Sequence, residues 1–193
     1  MALILASASP YRLMLLQQVF IHPDKIFPCN IDESVLPREK PKDYVKRIAH
    51  AKANLALEKN PDDIILAADT IIVMGLRIFQ KPLNREESKD MLNSFSGRRQ
   101  QVYSYVVVKD KNRTVERFAS TRISMKRLSD QDIIDNLNSN QWKSTSGGLC
   151  IEKFAGKLIK SVNGSYSNIM GLPLFETCSL LESFGIRSQV TES

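Results

Sequence analysis

The feature that most constrains the fold is the apolar segment "DDIILAADTIIVM" (residues 62–74), which is interrupted by a single acid, Asp69. Its many isoleucines and other aliphatic residues predict a strand, because β-branched side chains pack well on a pleated sheet. A shorter apolar run, "ALILA" (residues 2–6), predicts a second strand. "YRLMLLQQVF" (residues 11–20) carries apolar residues at helical spacing. The N-terminal segment is therefore predicted to form a strand, a tight turn and a helix.

Strands and helices alternate through the first half of the chain. Ser9 is a predicted N-cap and Pro10 the first helical residue of the N-terminal helix. The other predicted elements are helices over residues 42–60, 84–97, 129–139 and 175–185, strands over 101–110, 114–126 and 156–162, and a hairpin through Gly75. Strands that alternate with helices and then pair locally predict an α/β fold, with a mixed, twisted sheet flanked by helices. We expect one domain over residues 1–193.

Composition excludes several classes of protein. The chain has 193 residues, of which 42% are hydrophobic and 25% charged. No apolar run approaches the roughly 20 residues that span a bilayer, so no membrane segment is expected. The apolar stretch before Arg12 is too short for a secretory signal. The net charge of +6 suits a polyphosphate substrate, an anionic surface or nucleic acid. Because the basic residues are scattered, nucleic acid is the less favoured partner.

The cysteines predict a reducing compartment and no zinc site. Cys29, Cys150 and Cys178 are far apart and odd in number, and His22 and His50 are equally isolated. We therefore expect single reduced thiols and a cytoplasmic protein.

Asp69 is the first candidate functional residue. A carboxylate between two apolar stretches is expected to be nearly buried, so it should be paired, metal-bound or catalytic. We favour a functional role over a structural one. Other candidates are the loop acids Asp32 and Glu33 and the cations Arg12, Lys52 and Lys81. Carboxylates for an ion and basic groups for phosphate charge are the components of a magnesium–polyphosphate site.

Each of these candidates also has a structural explanation. "SASPYR" (residues 7–12) can be read simply as a capped helix start, or as a turn whose free N–H groups and Arg12 bind phosphate. Adjacent loop acids are usually solvated, and Lys52 among alanines would ordinarily be an exposed lysine. No serine, cysteine or histidine stands in an arrangement typical of a covalent nucleophile, so water is the expected attacking group.

The motifs "SASPYR", "DE", "AHAKA", "AADT", "KP", "SG", "GG" and "GSYSNIMGLPL" follow one another across residues 7–174. In this order they resemble the Maf family of nucleoside triphosphate pyrophosphatases. The resemblance implies a nucleotide-binding cleft, in a fold similar to that of inosine triphosphate pyrophosphatases. It also implies hydrolysis of the α–β phosphate bond, giving a nucleoside monophosphate and pyrophosphate with Mg²⁺ or Mn²⁺ as cofactor.

Residue roles follow from the same resemblance. Asp69 falls on the family's proposed proton acceptor, and we expect Asp69 and Glu33 to hold the metal ion. Arg12, Glu33, Lys52 and Lys81 fall on the family's other polar site positions, and we expect Ser7, Arg12, Lys52 and Lys81 to bind the substrate. The family is often dimeric, so a homodimer is expected. It is also associated with inhibition of bacterial septum formation, so the alternative function is a nucleotide- or nucleic-acid-binding regulator with little or no turnover.

The chain departs from the family pattern at several positions. Gln100 and Ser104 stand where the family has histidine and threonine, and Ser144 and Thr145 where it has Asp-Lys. Three positions sort the subfamilies by base, namely Tyr11, Thr70 and Glu152. Thr70 matches members that act on dTTP and UTP, whereas an aromatic residue at 11 and a glutamate at 152 match members that act on 7-methyl-GTP. A carboxylate accepts both donors of a guanine edge. We therefore expect a guanine-type or modified purine nucleotide, with dTTP/UTP as the alternative.

Overall fold

A computed structural model describes residues 1–143 and 145–190. The helices are α1 (Pro10–Gln18), α2 (Pro41–Lys59), α3 (Arg85–Phe95), α4 (Asp130–Asn138), α5 (Tyr166–Ile169) and α6 (Leu174–Glu182). The strands are β1 (Leu3–Leu5), β2 (Lys25–Ile26), β3 (Ile64–Met74), β4 (Arg77–Phe79), β5 (Arg99–Lys109), β6 (Thr114–Met125) and β7 (Ile159–Asn163). Two 3₁₀ turns, Ser146–Gly148 and Phe154–Leu158, lie between α4 and β7.

Within these described residues, seven strands form a mixed sheet in the order β2-β1-β3-β5-β6-β7, and β4 pairs with β3 beside this path. The predicted α/β fold with a mixed sheet and flanking helices is confirmed. The chain also divides into two compact units. The first contains residues 1–69, 104–119 and 171–193, and the second contains residues 70–103 and 120–170. The expectation of a single domain over 1–193 stays a prediction.

The first unit is built on parallel strands. β1 pairs in parallel with β2 and with the first half of β3, with Leu3 opposite Ile64 and Leu5 opposite Leu66. The side chains of β3 from Ile64 to Asp69 are all buried. Such continuous burial is typical of a strand in a parallel sheet, because helices cover both of its faces. The buried apolar residues that precede Asp69 in β3 therefore place its side chain in the interior.

The second unit has antiparallel pairs and its own apolar core. The second half of β3 pairs with β4 through a tight turn at Gly75, whose φ is +64°, as the hairpin prediction requires. β6 pairs antiparallel with β7, with an irregularity between Ser124 and Met125. The core combines side chains from β3 to β6, α3, α4 and the segment that follows: Ile72, Phe79, Met91, Leu92, Phe95, Val102, Ile123, Met125, Ile133, Leu137, Trp142, Leu149, Ala155 and Leu158.

The helix starts agree with the predictions in position and differ in one detail. Ser129 is the N-cap of α4, at the start of the helix predicted over residues 129–139, and it forms a full capping box with Asp132. Ser9 is the N-cap of α1, but its side chain makes no capping hydrogen bond. Its backbone N–H donates to Ser7 Oγ instead, at 3.2 Å. The hydroxyl oxygen of Ser7 thus accepts a hydrogen bond from the backbone of the turn that precedes α1.

No helix within residues 1–143 and 145–190 is both long enough and apolar enough to cross a bilayer.

A polar cluster on the first unit predicts a pH-dependent contribution to stability. Glu116 accepts hydrogen bonds from Lys46 Nζ at 2.6 Å and from Tyr105 Oη at 2.7 Å, and its other oxygen pairs with His50 Nε2. Partial burial alone would raise the pKa of Glu116, but these donors lower it to about 2. Because the pKa is lower in the folded state, the ionised carboxylate stabilises the fold above about pH 4.3 and this contribution is lost as the pH falls toward 2.

The change Glu116→Gln should therefore lower the free energy of unfolding by about 1–2 kcal/mol at pH 7, a figure already reduced for solvent screening. Urea denaturation at a series of pH values measures this, and the difference from wild type should shrink between pH 5 and pH 2. Glu58→Gln is the control, since the Glu58 side chain is exposed and pairs with its neighbour Lys59. A difference that is constant with pH would contradict the assignment to the ionised carboxylate.

Candidate active site

The Asp69 carboxylate is the centre of a charged cluster in the first unit. Its side chain is 8% exposed, and Oδ1 accepts from Lys52 Nζ at 2.8 Å. Burial raises the pKa of Asp69 above its ordinary value, while the charges of Lys52 and Arg12 oppose that rise. The carboxyl is thus both a stronger base than a solvent-exposed aspartate and fixed in direction by a cation. The expected burial of Asp69 is confirmed.

Lys52 reaches this carboxylate from α2. Its side chain is 10% exposed, and its Nζ lies 2.9 Å from Glu33 Oε1 as well as 2.8 Å from Asp69. Ala49 and Ala53 are completely buried, so this face of α2 packs inward and carries the lysine stem with it. The alternative of an exposed lysine is wrong. One ammonium therefore joins two carboxylates that are far apart in sequence.

Arg12 lies in the first turn of α1 and is also buried. Its Nε donates to the carbonyl of Gly171 at 2.8 Å, and its Nη1 donates to Ser7 Oγ at 3.0 Å. Gly171 has a φ of +112°, a conformation that favours glycine. Burial lowers the pKa of Arg12, and the charges of Asp69 and Glu33 oppose that change. A guanidinium stays protonated under all ordinary conditions, so Arg12 adds a fixed positive charge to the cluster.

The two loop acids differ in what they contact. Glu33 reaches Lys52, although its side chain is 44% exposed. Asp32 is exposed and does not share this contact; its Oδ1 accepts from the backbone N–H and the hydroxyl of Ser34. These hydrogen bonds lower the pKa of Asp32. The two neighbouring acids thus have separate tasks, since Asp32 shapes the loop and Glu33 faces the lysine.

Three predicted residues belong to the second unit. Thr70 is half-buried, and its backbone carbonyl accepts from Ser146 Oγ at 2.9 Å. Lys81 is exposed, and the carbonyl of the preceding residue accepts from the N–H of Gly147 at 2.9 Å. Glu152 is partly buried. Burial raises the pKa of Tyr166, and the charge of Glu152 adds to that rise.

Two of the positions that depart from the family pattern, Gln100 and Thr145, make contacts within the second unit. Gln100 is buried and donates from Nε2 to the carbonyl of Phe95 at 3.1 Å. Thr145 Oγ1 lies 3.5 Å from the carbonyl of Trp142. Ser144 lies outside the described residues. Tyr11 is half-buried and follows Pro10 at the start of α1.

The carboxylate pair has the donor chemistry of a magnesium site. Within residues 1–143 and 145–190, no three or more His, Cys, Asp or Glu side chains form a group that could hold a metal ion. Glu33 and Asp69, however, both place an oxygen within 3 Å of the same Lys52 Nζ. One or two carboxylates completed by substrate phosphate oxygens and water are the usual ligands of Mg²⁺ in nucleotide enzymes. The donor set therefore fits a divalent cation that arrives with a polyphosphate.

The arrangement combines a buried base with two buried cations, which suits hydrolysis of an anionic substrate. Residues 2–184 match the family described as Maf-like protein. The chain belongs to that family. The predicted membership and the predicted class of enzyme, a nucleoside triphosphate pyrophosphatase, are confirmed.

Curated relatives of this family member are similar over nearly the whole chain. The dTTP/UTP pyrophosphatase of Ruegeria sp. (strain TM1040) is 41% identical over 96% of this chain and 95% of its own length. The dTTP/UTP pyrophosphatase of Rhodopseudomonas palustris (strain ATCC BAA-98 / CGA009) is 41% identical over 96% of this chain and 94% of its own length. The solved Ham1 protein of Staphylococcus aureus is 14% identical, covers 64% of this chain and 71% of its own, and has a TM-score of 0.44. A TM-score this low supports no conclusion about this chain.

Proposed function

We propose that this Maf-like protein hydrolyses dTTP and UTP at the α–β phosphate bond, releasing pyrophosphate and the nucleoside monophosphate. The observation that carries the chemistry is the buried Asp69 carboxylate, held by Lys52 and close to the charge of Arg12. The names of relatives at 41% identity support the choice of base. Thr70 favours dTTP and UTP, which are the alternative substrates expected from the sequence. Tyr11 and Glu152 favour the guanine-type nucleotide, which is the first expectation from the sequence.

The reaction assigned to the site is attack by water. Asp69 accepts a proton from water while the oxygen of that water bonds to phosphorus. The P–O bond of the α–β anhydride then breaks. The bridging oxygen leaves with its electron pair. Negative charge grows on the phosphate oxygens during this step, and the fixed charges of Arg12 and Lys52 stabilise it. The raised pKa of Asp69 favours proton transfer near neutral pH.

A divalent cation fits the same proposal. Glu33 and Asp69 would hold it together with phosphate oxygens of the substrate. When bound, Mg²⁺ or Mn²⁺ supplies positive charge to the polyphosphate and lowers the pKa of coordinated water. Ser7 and Lys81 are proposed to contact phosphate oxygens. In Ser7 the hydroxyl oxygen already accepts from Arg12, which leaves its O–H to donate.

Two further expectations remain proposals. They are that the protein forms a homodimer and that it is located in the cytoplasm. A regulator of septum formation without turnover is the second function, and no contact among the described residues favours it. A buried base opposed by two cations is not needed for binding a polyanion. We therefore place turnover first.

A nucleotide panel tests the proposed substrate and the role of Glu152. We expect pyrophosphate from UTP and dTTP, with a higher kcat/KM than for 7-methyl-GTP, measured in Mg²⁺ or Mn²⁺ by detection of pyrophosphate against orthophosphate.

Glutamine at position 152 can accept from and donate to a uracil edge, whereas glutamate only accepts. Glu152→Gln should therefore raise kcat/KM for UTP about 3- to 10-fold, the equivalent of one hydrogen bond.

Glu182→Gln is the matched control, because it removes a carboxylate at the end of α6. It should leave the ratio of UTP to 7-methyl-GTP efficiencies unchanged. Release of orthophosphate, or no release at all, would reject the proposed reaction. A wild-type preference for 7-methyl-GTP would restore the guanine-type substrate.

A further inference from the structure

We propose that Tyr44 and Arg47 are positioning residues that fix the segment bearing Glu33 against α2, and so set where its carboxylate meets Lys52. The functional meaning of this role rests on the proposed function, in which Glu33 helps to hold a divalent cation. The hydrogen bonds that carry the proposal run from these two side chains to the loop and not to Asp69. Their effect would therefore act through the loop.

The Glu33 segment needs such a support. Residues 27–36 contain no helix or strand, and Glu33 and its neighbours are exposed. The ion pair of Glu33 with Lys52 is itself 44% exposed on the glutamate side. Exposed ion pairs are weak because water screens the charges and the side chains lose freedom when they pair. We therefore expect this half-exposed ion pair to fix the carboxylate less firmly than a fully buried pair would.

α2 supplies hydrogen bonds to two successive carbonyls of this segment. Tyr44 Oη donates to the carbonyl of Glu33 at 2.9 Å, and Arg47 Nη2 donates to the carbonyl of Ser34 at 2.8 Å. Tyr44 is 1% exposed, so its ring is fixed in the core, and the Arg47 guanidinium lies 5.5 Å from the centre of that ring. Residues three apart on a helix share one face. The two donors therefore form one support.

Glu39 completes the support by orienting Arg47. Its two carboxylate oxygens accept from Arg47 Nε at 2.6 Å and from Nη2 at 2.8 Å, and Oε2 also accepts from the N–H of Leu36 at 3.0 Å. The Glu39 side chain is only 8% exposed, and the hydrogen bond from Arg47 lowers its pKa. A bidentate pair of this kind defines the plane of the guanidinium. Arg47 therefore links the C-terminal part of the segment to α2, at Ser34 directly and at Leu36 through Glu39.

The same helix carries Lys52. Lys52 lies eight positions after Tyr44 in continuous α-helix, which is a distance of about 12 Å along the axis. Because α2 is one continuous helix, fixing the Glu33 carbonyl at one point on it also limits where the Glu33 carboxylate can lie relative to Lys52 Nζ. The loop and the lysine are thus aligned by one element.

Hydrogen exchange on the metal-free protein tests the support directly. Tyr44→Phe removes only the hydroxyl, and Arg47→Lys keeps the charge but loses the bidentate geometry. Each change should speed amide exchange of residues 33–36 about 3- to 10-fold, the range that one lost hydrogen bond gives. Tyr105→Phe is the matched control, because it deletes a hydroxyl that donates to Glu116 and not to this loop. Equal exchange rates in all variants would overturn the inference.

A Mg²⁺ titration of activity tests the consequence for the site. Tyr44→Phe and Arg47→Lys should raise the Mg²⁺ concentration for half-maximal activity about 3- to 10-fold, with kcat at saturating Mg²⁺ less affected. In a Glu33→Gln background the same changes should add nothing, because the group that they position is gone. Additive losses in that background would also overturn the inference. A wild type without nucleotide turnover would reject the proposed function alone, since the exchange rates need no substrate.

Discussion

Asp69→Asn is expected to lower kcat for pyrophosphate release by about 100-fold or more, the scale of losing a positioned general base. The amide has the shape of the carboxyl group but accepts no proton from water. The rise of kcat with pH that reports ionisation of Asp69 should disappear in the variant. In wild type, that rise should occur above the usual pKa of an aspartate, because burial raises the pKa of Asp69. Steady-state kinetics across a pH series measures both effects.

Asp63→Asn is the control for the removal of a carboxylate from the same unit. Asp63 Oδ1 accepts from the N–H of Ala2 at 2.9 Å, and an asparagine oxygen keeps that hydrogen bond. This variant should retain wild-type kcat, and thermal melting should show both variants folded. Near-wild-type turnover by Asp69→Asn would remove Asp69 from the catalytic role.

Gly147→Ala is expected to lower the free energy of unfolding by about 2–4 kcal/mol, the sum of left-handed backbone strain and overpacking. Gly147 has a φ of +63°, and a Cβ at this position would lie 2.7 Å from Ile72 Cδ1 and 3.3 Å from Phe95 Cζ. Phe95 is completely buried, so the neighbours have little room to move. Urea denaturation with an unchanged m-value measures the loss.

Gly75→Ala separates the two causes. Gly75 has nearly the same φ, +64°, but nothing lies within 4 Å of the position that an alanine Cβ would take. It should therefore lose only about 1 kcal/mol, the cost of the left-handed conformation alone. Equal losses in the two variants would show that Gly147 is required for its backbone conformation and not for close packing.

Much of the fold was predictable because its signals are local. The apolar run of β3, the helical spacing after Pro10 and the serine at the start of α4 each act over a few residues, and the structure has all three elements. The predicted strand at residues 156–162 was less accurate. Residues 154–158 form a 3₁₀ turn and β7 begins only at Ile159, because apolar runs of this length do not distinguish a buried turn from a strand.

The candidate site was predictable in its members more than in its contacts. Asp69 is conspicuous in sequence because an acid rarely interrupts an apolar strand. The supports of the site carry no such signal. In the sequence, Tyr44 is one of several residues on the apolar face of its helix, and Arg47 and Glu39 look like ordinary surface charges. Their hydrogen bonds to the Glu33 loop appear only when the loop is folded back on α2.

The sequence by itself determined the order of strands and helices, the buried position of Asp69 and the family to which the chain belongs. Tertiary structure alone decided that Lys52 is buried between Glu33 and Asp69, and that Arg12 is held by the carbonyl of Gly171, 159 positions away. The physical reason is range. Propensity and periodicity act within a turn or a strand, whereas the partner of a buried charge depends on which distant segments the sheet brings together.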